Sequence, residues 1–190
     1  MAIGRGSDLA GLAAMPWRLE GGGDVSIVRP LLAVAKADLI DLCRTAGLQW
    51  AEDPGNLDPS TVRGALRVEV RPTLERLWPR IALHAAGTAK SLQAVLASVD
   101  EQVKQIFGGR EVPAMWPRRT LALVPAVVLG RGLRAVALQH DPSLADALGR
   151  AVVEPPVAAI RDGERRPRRY NWPGGLEIQV SSRKVELVSC

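Results

Sequence analysis

The chain has 190 residues, of which 47% are hydrophobic, and it carries a formal net charge of +5. This length allows one well-packed core, or a truncated domain together with a smaller one. No run of about 18 apolar residues occurs, which argues against a membrane-spanning helix. Two cysteines, Cys43 and Cys190, and two distant histidines predict neither a disulfide framework nor a metal site. The positive charge favours a polyanionic partner, and the lack of an apolar leader predicts a cytoplasmic location.

The N-terminal segment predicts short elements joined by turns. Residues 1–15 are glycine-rich and then weakly helical, and residues 17–19 and 25–28 have the pattern of two short strands. Three glycines at 21–23 lack the following Ser/Thr, Lys and helix start of a phosphate-binding loop, so they predict a hairpin turn. Residues 35–46 have the period of an amphipathic helix. Its inward face is predicted to contain Leu39, Ile40, Leu42 and Cys43.

Residues 50–60 form an acidic segment that is rich in turn-forming residues. Asp53, Asn56 and Asp58 stand beside prolines and a glycine. Short Asp and Asn side chains bond to nearby backbone groups, so this composition favours a fixed turn. Trp50, at the start of the segment, is predicted to anchor a core in preference to stacking on a base.

Three arginines follow the acidic segment at intervals of four residues: Arg63, Arg67 and Arg71. This spacing places them one turn apart on one face of a helix predicted over 61–70, which restarts at Pro72. The arginines are either a phosphate-binding face beside a rigid turn or the solvated side of a helix beside a surface connector. The spacing alone leaves both interpretations open.

The central part of the chain predicts helices. A long alanine-rich helix is expected over 82–106, and glycines and prolines predict a break over 108–119. Two shorter helices are expected over 125–139 and 142–152, with Asp141 capping the second. Arg131 and Arg134 are one turn apart, so they are candidates to extend a basic surface.

The C-terminal part combines a basic cluster with an alternating apolar pattern. Arg165, Arg166, Arg168 and Arg169 lie close to Tyr170 and Trp172. Such a cluster suits RNA phosphates and an unpaired base, and a solvated linker is an equally consistent interpretation. Alternating apolar residues on either side of two serines predict a β-hairpin, with the inward residues Leu176, Ile178, Val180, Val185 and Leu187.

Three motifs occur in a characteristic order. The opening RGSDLAGLAAM matches R-G-S/T-G-L-x-G-L-x-x-M through most positions, and RPLL is followed by GLQWAEDPGNLD, which matches G-L-x-W-x-E-D-x-x-N-x-D. Arg63 and Arg67 then match R-N-x-x-R, ahead of the segment Pro-Thr-Leu at 72–74. These motifs resemble the tRNA(Ile)-lysidine synthetases of the N-type (PP-loop) ATP pyrophosphatase superfamily. The PGG segment before the hairpin resembles the same family.

The resemblance implies an ATP-dependent C–N ligase. Such an enzyme adenylates the 2-position of the wobble cytidine of tRNA(Ile), and the amino group of lysine then displaces AMP, with ATP and Mg²⁺ as cofactors. The resemblance also implies tRNA or phosphate contacts for the residues that match the motifs. Asp53 and Asn56 alternatively hold the turn that aims the arginines. The implied binding residues are Arg5, Ser7, Asp53, Asn56, Arg63, Arg67 and Arg71.

The sequence also departs from the family pattern. Asp8 replaces a glycine, and Gly64 replaces the asparagine of R-N-x-x-R. The ATP loop S-G-G-x-D-S and the H-H-x-x-D-Q-x-E-T segment do not occur in these 190 residues, so no catalytic residue is predicted. We therefore expect the C-terminal portion of a synthetase, which binds no ATP or Mg²⁺ tightly and is inactive unless a separate chain supplies the PP-loop domain. A stand-alone tRNA-binding module without catalysis, or a helical interaction protein that has lost RNA affinity, are the alternatives.

These features together predict a mainly α fold with some β. Residues 1–60 are expected to be the tail of an α/β nucleotide-binding domain. Residues 61–160 are expected to form a helical tRNA-binding domain, and residues 161–190 a basic linker followed by the β-hairpin. The expected partners are tRNA(Ile) and a PP-loop chain, with no membrane.

Overall fold

The computed structural model describes residues 3–5, 7–20, 25–53, 55 and 58–189. The chain divides into two compact units. The first contains Met1–Arg5 and Leu9–Gln93, and the second contains Gly6–Asp8 and Ala94–Cys190. This division into compact units does not test the predicted functional boundaries near residues 60 and 160, which remain predictions. No helix among the described residues is long and apolar enough to cross a membrane.

The first unit contains the predicted hairpin and helices. Strands β1 (Arg18–Glu20) and β2 (Ser26–Val28) pair antiparallel, and helix α2 spans Lys36–Thr45 after the short helix α1 (Leu9–Leu12). Gly47, with φ of +66°, ends α2 as predicted, because a left-handed residue at this position favours glycine. The predicted turn at residues 21–23 lies outside the described residues.

A helical segment follows the acidic loop and contains one wider turn. Helix α3 (Val62–Ala65) continues through a π-helical turn (Leu66–Val70) into α4 (Arg71–Leu77). Pro72 has no N–H and its ring would collide with the carbonyl four residues earlier, so a regular α-helix would be strained here. The wider turn, in which the Arg71 N–H donates to the Leu66 carbonyl, is the observed solution.

The first unit leaves much apolar surface exposed. Among its described residues only Ala13 and Gly64 are buried. Leu42 is 62% exposed and Trp50 is 43% exposed, so the prediction that they face a core is wrong for this unit. Other large apolar side chains on its surface include Trp17, Leu19, Ile27, Leu31, Leu48, Leu77 and Trp78.

The long helix α5 (Ile81–Phe107) was predicted within one residue at each end. The division between the units falls inside it, between Gln93 and Ala94. In the first unit, the Gln93 amide donates to the Ala13 carbonyl at 2.9 Å. Val99, Val103 and Phe107 are buried in the core of the second unit.

The second unit joins helices to a four-stranded antiparallel sheet. After α5 come β3 (Ala114–Pro117), α6 (Arg118–Ala122), α7 (Ala126–His140), α8 (Arg150–Arg161), β4 (Arg168–Trp172), β5 (Leu176–Val180) and β6 (Lys184–Ser189). The strand order is β3-β6-β5-β4. Buried side chains from α5, α6, α7, α8 and all four strands belong to one apolar cluster.

Three predictions need correction here. The hairpin β5–β6 exists as predicted, but β3 and β4 extend it into a sheet. The predicted break over 108–119 contains β3 and the first two residues of α6. The helix expected over 142–152 is instead a 3₁₀ turn (Pro142–Ala145), capped by Asp141 as predicted, followed by α8. Helix α8 contains Pro155 and Pro156, which disfavour a helix interior, but its buried apolar face compensates through packing.

Candidate nucleic-acid interface

The acidic loop is held by hydrogen bonds from its own backbone. Asp53 Oδ1 accepts from the Gly55 amide at 2.9 Å, and Asp58 Oδ1 accepts from the Ser60 amide at 2.9 Å. The hydrogen bonds from Ser60 hold the pKa of Asp58 below its ordinary value. Both carboxylates therefore shape the turn. Asn56 lies outside the described residues.

Trp50 lies at the surface at the start of this loop. Its indole N–H donates to Glu52 Oε1 at 3.1 Å, and Lys36 Nζ lies 3.9 Å from Glu52 Oε2. The side chain is thus fixed by a polar contact within the loop, whereas the sequence predicted burial in a core.

The loop and the arginine-bearing helix are joined at Thr61. Its hydroxyl donates to the Asp58 carbonyl at 3.1 Å and accepts from the Gly64 amide at 3.0 Å, which caps the helix start. A Cβ atom added at Gly64 would lie 1.8 Å from the Asp58 carbonyl oxygen. Glycine is required for this close approach, which accounts structurally for the departure from the asparagine of the motif.

We expect Gly64→Ala to detach the loop from the helix start. The added Cβ cannot coexist with the Asp58 carbonyl, so the hydrogen bonds of Thr61 break and the cap is lost, at a cost of about 1 kcal/mol. Hydrogen-exchange mass spectrometry should show faster exchange in peptides covering 58–65. Gly149→Ala, where an added Cβ meets nothing within 4 Å, is the control. Unchanged exchange in the Gly64 variant would contradict the expected close approach.

The three arginines of the predicted stripe occupy one continuous helical segment. Arg63 is in α3, Arg67 is in the π-helical turn, and Arg71 begins α4, and all three are exposed. Arg71 Nε bonds Glu75 Oε1 at 2.7 Å, an ion pair between residues one turn apart. The side chain of Arg63 makes no hydrogen bond or ion pair with any described residue. The structure therefore places Arg63 and Arg67 in the helical segment that directly follows the acidic loop.

The N-terminal motif is only partly described. Arg5 ends a 3₁₀ turn (Ile3–Arg5), and nothing is described of its side chain, while Ser7 is half-buried. The predicted phosphate contacts of Arg5 and Ser7 remain predictions.

A second basic region lies in the C-terminal unit, around an arginine that sequence reasoning missed. Arg118 is 5% exposed. Its guanidinium donates to the carbonyls of Ala159 at 2.6 Å and Ile160 at 3.1 Å, and to the Glu164 carbonyl. No local pattern distinguishes Arg118 from the exposed Arg119 beside it.

Asp162 is bonded by two arginines. Arg168 donates to both carboxylate oxygens, at 2.6 and 2.8 Å, and Arg118 Nη2 donates to Oδ1 at 3.0 Å. The hydrogen bonds from Arg168 hold the pKa of Asp162 far below its ordinary range. Arg168 also bonds the Ala159 carbonyl at 2.9 Å, so much of its hydrogen-bonding capacity is used within the fold.

The other residues of the predicted basic cluster differ in whether their side chains are exposed to a ligand. Arg165, Arg166 and Arg169 are exposed. Trp172 is 5% exposed and part of the core, so it is not available to stack on a base, and the segment Arg168–Trp172 is a strand and not a linker.

Arg131 and Arg134 do not extend a basic surface. Arg131 bonds both carboxylate oxygens of Asp100, one of them at 3.0 Å. Arg134 donates to the carbonyls of Ala145 at 2.5 Å and Leu148 at 3.1 Å. Their hydrogen bonds stabilise the fold.

The two helices on either side of the acidic loop do not begin with a phosphate-binding loop. Helices α2 and α3, on either side of the acidic loop, follow Ala35 and Thr61 and not a glycine-rich loop, and the Thr61 hydroxyl is already bonded to Gly64. Across the described part of the chain, no group of three or more His, Cys, Asp or Glu side chains is placed to hold a metal ion.

Comparison with known families defines the class of this protein. Residues 1–74 match the model of the PP-loop domain. The arginine-bearing helix that follows the acidic loop lies largely within that match, so the similarity to the PP-loop domain covers most of the first unit.

Curated relatives define the family more closely. The tRNA(Ile)-lysidine synthase of Pseudomonas putida is 37% identical over 92% of this chain and 45% of the relative. The tRNA(Ile)-lysidine synthase of Salinispora arenicola is 37% identical over 99% of this chain and 56% of the relative. That of Rhodopseudomonas palustris is 33% identical over 85% and 50%. Over most of its length the chain is homologous to tRNA(Ile)-lysidine synthases, and it spans about half the length of the curated relatives it matches.

Proposed function

We propose that this chain is the tRNA-positioning part of a tRNA(Ile)-lysidine synthase, an ATP-dependent ligase that joins lysine to the wobble cytidine of tRNA(Ile). The observation that carries the proposal is the junction at Thr61, which fixes a hydrogen-bonded acidic loop against the start of an exposed arginine helix. Arginines on a backbone that is already ordered lose less conformational entropy when they bind a flexible polyanion. The proposed function places the protein in the cytoplasm.

Within this proposal, Arg63 and Arg67 contact tRNA phosphates. Arginine suits this role because its planar guanidinium donates two parallel hydrogen bonds to a phosphate group. Asp53 and Asp58 act as positioning residues, since their oxygens already accept from the loop backbone. We assign Asn56 the same role. The Arg71 guanidinium interacts both with the ligand and with the Glu75 carboxylate.

The ATP chemistry is assigned to residues outside these 190. The proposal is supported by the exposed apolar surface of the first unit, where large side chains such as Trp17, Ile27 and Leu42 lack cover. Apolar area of this extent usually marks a contact surface. We propose that the remaining α/β layer of a PP-loop domain, which binds ATP and Mg²⁺, covers it, either within a longer polypeptide or as a separate chain.

The test is tRNA binding by the purified chain at two salt concentrations, with an unrelated RNA as competitor. We expect preferential, salt-sensitive binding, because each phosphate contact releases counterions. Arg63→Ala combined with Arg67→Ala should weaken binding about tenfold and flatten the slope of log K against log salt by about 1.5 to 2.

The matched control is Arg76→Ala combined with Arg80→Ala, which removes the same charge from exposed positions just downstream. The control should retain most of the affinity. Equal losses in both double variants would mean that only net charge matters and would contradict the assigned contacts. No binding by the folded wild-type chain would contradict the proposed function and favour a helical interaction protein.

A further inference from the structure

A cavity of about 420 Å³ lies in the second unit, where two of its helices end. The residues that line it come from the loop after α5 and from the last turn of α7: Gly109, Glu111, Val112, Gln139 and His140. Its volume is within the range of natural small-molecule sites. None of the candidate tRNA-binding residues lines it, so this cavity is separate from the candidate interface.

The end of α7 leaves the carbonyls of residues 138–140 without their helical donors. The first of these carbonyls would need an N–H from Pro142, which has none. The amides of Ser143 and Leu144, which would serve the other two, donate instead to Asp141, at 2.9 Å to Oδ1 and 3.3 Å to the carbonyl oxygen. Unbonded carbonyls at a helix C-terminus carry partial negative charge and favour a nearby cation.

The other wall of the cavity adds a second helix end and an unpaired carboxylate. Helix α5 ends two residues before Gly109, whose φ of +67° turns the chain out of the helix. The side chain of Glu111 makes no hydrogen bond or ion pair with a described residue. Arg110 precedes it, but its guanidinium lies over the Trp116 ring and donates to the Met115 carbonyl at 3.2 Å. The negative charge of Glu111 is therefore left for a ligand.

We propose that this cavity binds a protonated aliphatic diamine. An ammonium group has three donors, which match the Glu111 carboxylate and the carbonyls at the end of α7. The half-buried Val112 offers an apolar contact for the methylene chain, and Gln139 and His140 offer further acceptors. Among the described residues that line the cavity, none is Lys or Arg.

Two other classes of ligand fit this cavity less well. Across the described part of the chain, no three His, Cys, Asp or Glu side chains are grouped to hold a metal ion. An amino acid such as free lysine would bring a carboxylate towards Glu111 and two negative helix ends, which disfavour it. The inference does not rest on the proposed function.

The test is an NMR titration of the full ¹⁵N-labelled chain with cadaverine at low ionic strength. We expect saturable shifts of the amide signals of residues 109–112 and 139–140. Lysine, which is cadaverine with an added carboxylate, should bind at least about tenfold more weakly. The neutral analogue 1,5-pentanediol should cause no saturable shift, because it lacks the charge that the site recognises.

Variants of the lining residues make the test specific. Glu111→Gln should raise the Kd for cadaverine about tenfold, because a charge-assisted hydrogen bond is lost. His140→Lys places a cation in the cavity lining and should weaken binding at least as much. Glu101→Gln removes the same charge from an exposed position on α5 and should change the Kd by less than about twofold. Emission from buried Trp116 verifies that each variant is folded.

Three results would overturn the proposed site. The first is the absence of saturable shifts at these residues in the folded wild-type chain. The second is an equal loss of affinity in Glu111→Gln and Glu101→Gln, which would mean that only net charge is sensed. The third is binding of lysine or pentanediol as tight as that of cadaverine. None of these results bears on tRNA binding, so the proposed function stands or fails separately.

Discussion

Arg118→Ala is expected to lower the free energy of unfolding of the C-terminal unit by about 3 kcal/mol, because buried carbonyls that lose a donor cost about 1–3 kcal/mol each. The Ile160 and Glu164 carbonyls lose the donor that Arg118 supplies, and Asp162 loses one of its two arginine partners. Denaturant unfolding followed by tryptophan fluorescence measures the effect. Trp116 and Trp172 are buried in this unit, so their emission reports its unfolding.

Two variants make the Arg118 prediction specific. Arg119→Ala removes the same charge from the adjacent, exposed position and should change stability by less than about 0.5 kcal/mol. Arg118→Lys keeps the charge but lacks the planar fork that serves several acceptors at once, so it should recover only part of the loss. An Arg118→Ala protein as stable as wild type would show that the end of α8, the loop after it and the β5–β6 turn converge without the hydrogen bonds of this side chain.

Gly132→Ala is the second large expected effect, at about 2 kcal/mol of destabilisation. An added Cβ would lie 2.2 Å from Cδ2 of Phe107, in the buried contact between α7 and the end of α5. Phe107 is 1% exposed and its ring lies 5.3 Å from that of Trp116, so it has no free space to move into. Overpacking of this kind costs typically 1–3 kcal/mol, which outweighs the gain in helix propensity.

Gly87→Ala is the matched control for Gly132→Ala. Gly87 also lies inside a helix, α5, but an added Cβ there meets nothing within 4 Å. The same substitution should therefore stabilise α5 by about 0.5–1 kcal/mol, because alanine is the better helix former. The two stability changes, which have opposite signs, are measured as shifts in the denaturant concentration at the midpoint of unfolding. A Gly132 variant that gains stability like the Gly87 variant would contradict the tight contact with Phe107.

Local features were predicted well where the cause is local. The helix over 82–106, the cap at Asp141 and the turn between β5 and β6 all appear within a few residues of the expected positions. Apolar period and capping side chains act over a few residues, so the sequence displays them directly. The wider turn ahead of Pro72 was not predicted as such, although proline marked the place where the helix restarts.

The larger errors concern partners that are distant in sequence. Strand β3 has four residues and ends with a proline, so it has little intrinsic strand signal, yet it pairs with β6 from the C-terminal end. Helix α8 contains two prolines that predict a break, yet its buried face, including Val157 and Ile160, holds the helix against the core. In both cases tertiary packing outweighs local propensity.

In the candidate interface, the arginines show the same contrast between local features and contacts that are distant in sequence. Sequence spacing identified the residues next to the acidic loop, and the hydrogen bonds of Asp53 and Asp58 support a rigid turn there. Spacing could not tell exposed arginines from bonded ones. Arg131 pairs with Asp100, which lies 31 residues away, and Arg118 reaches carbonyls more than 40 residues away.

By itself, the sequence determined the family motifs, the helical character and the excess of positive charge, because each is written in residue types and short spacings. Only the tertiary structure decided which arginine side chains are hydrogen-bonded within the fold and which remain available to a polyanion. The reason is physical: a buried guanidinium needs acceptors for its donors, and the acceptors that Arg118 and Arg168 use come from α8, the loop after it and the β5–β6 turn. Those acceptors meet only when the chain has folded.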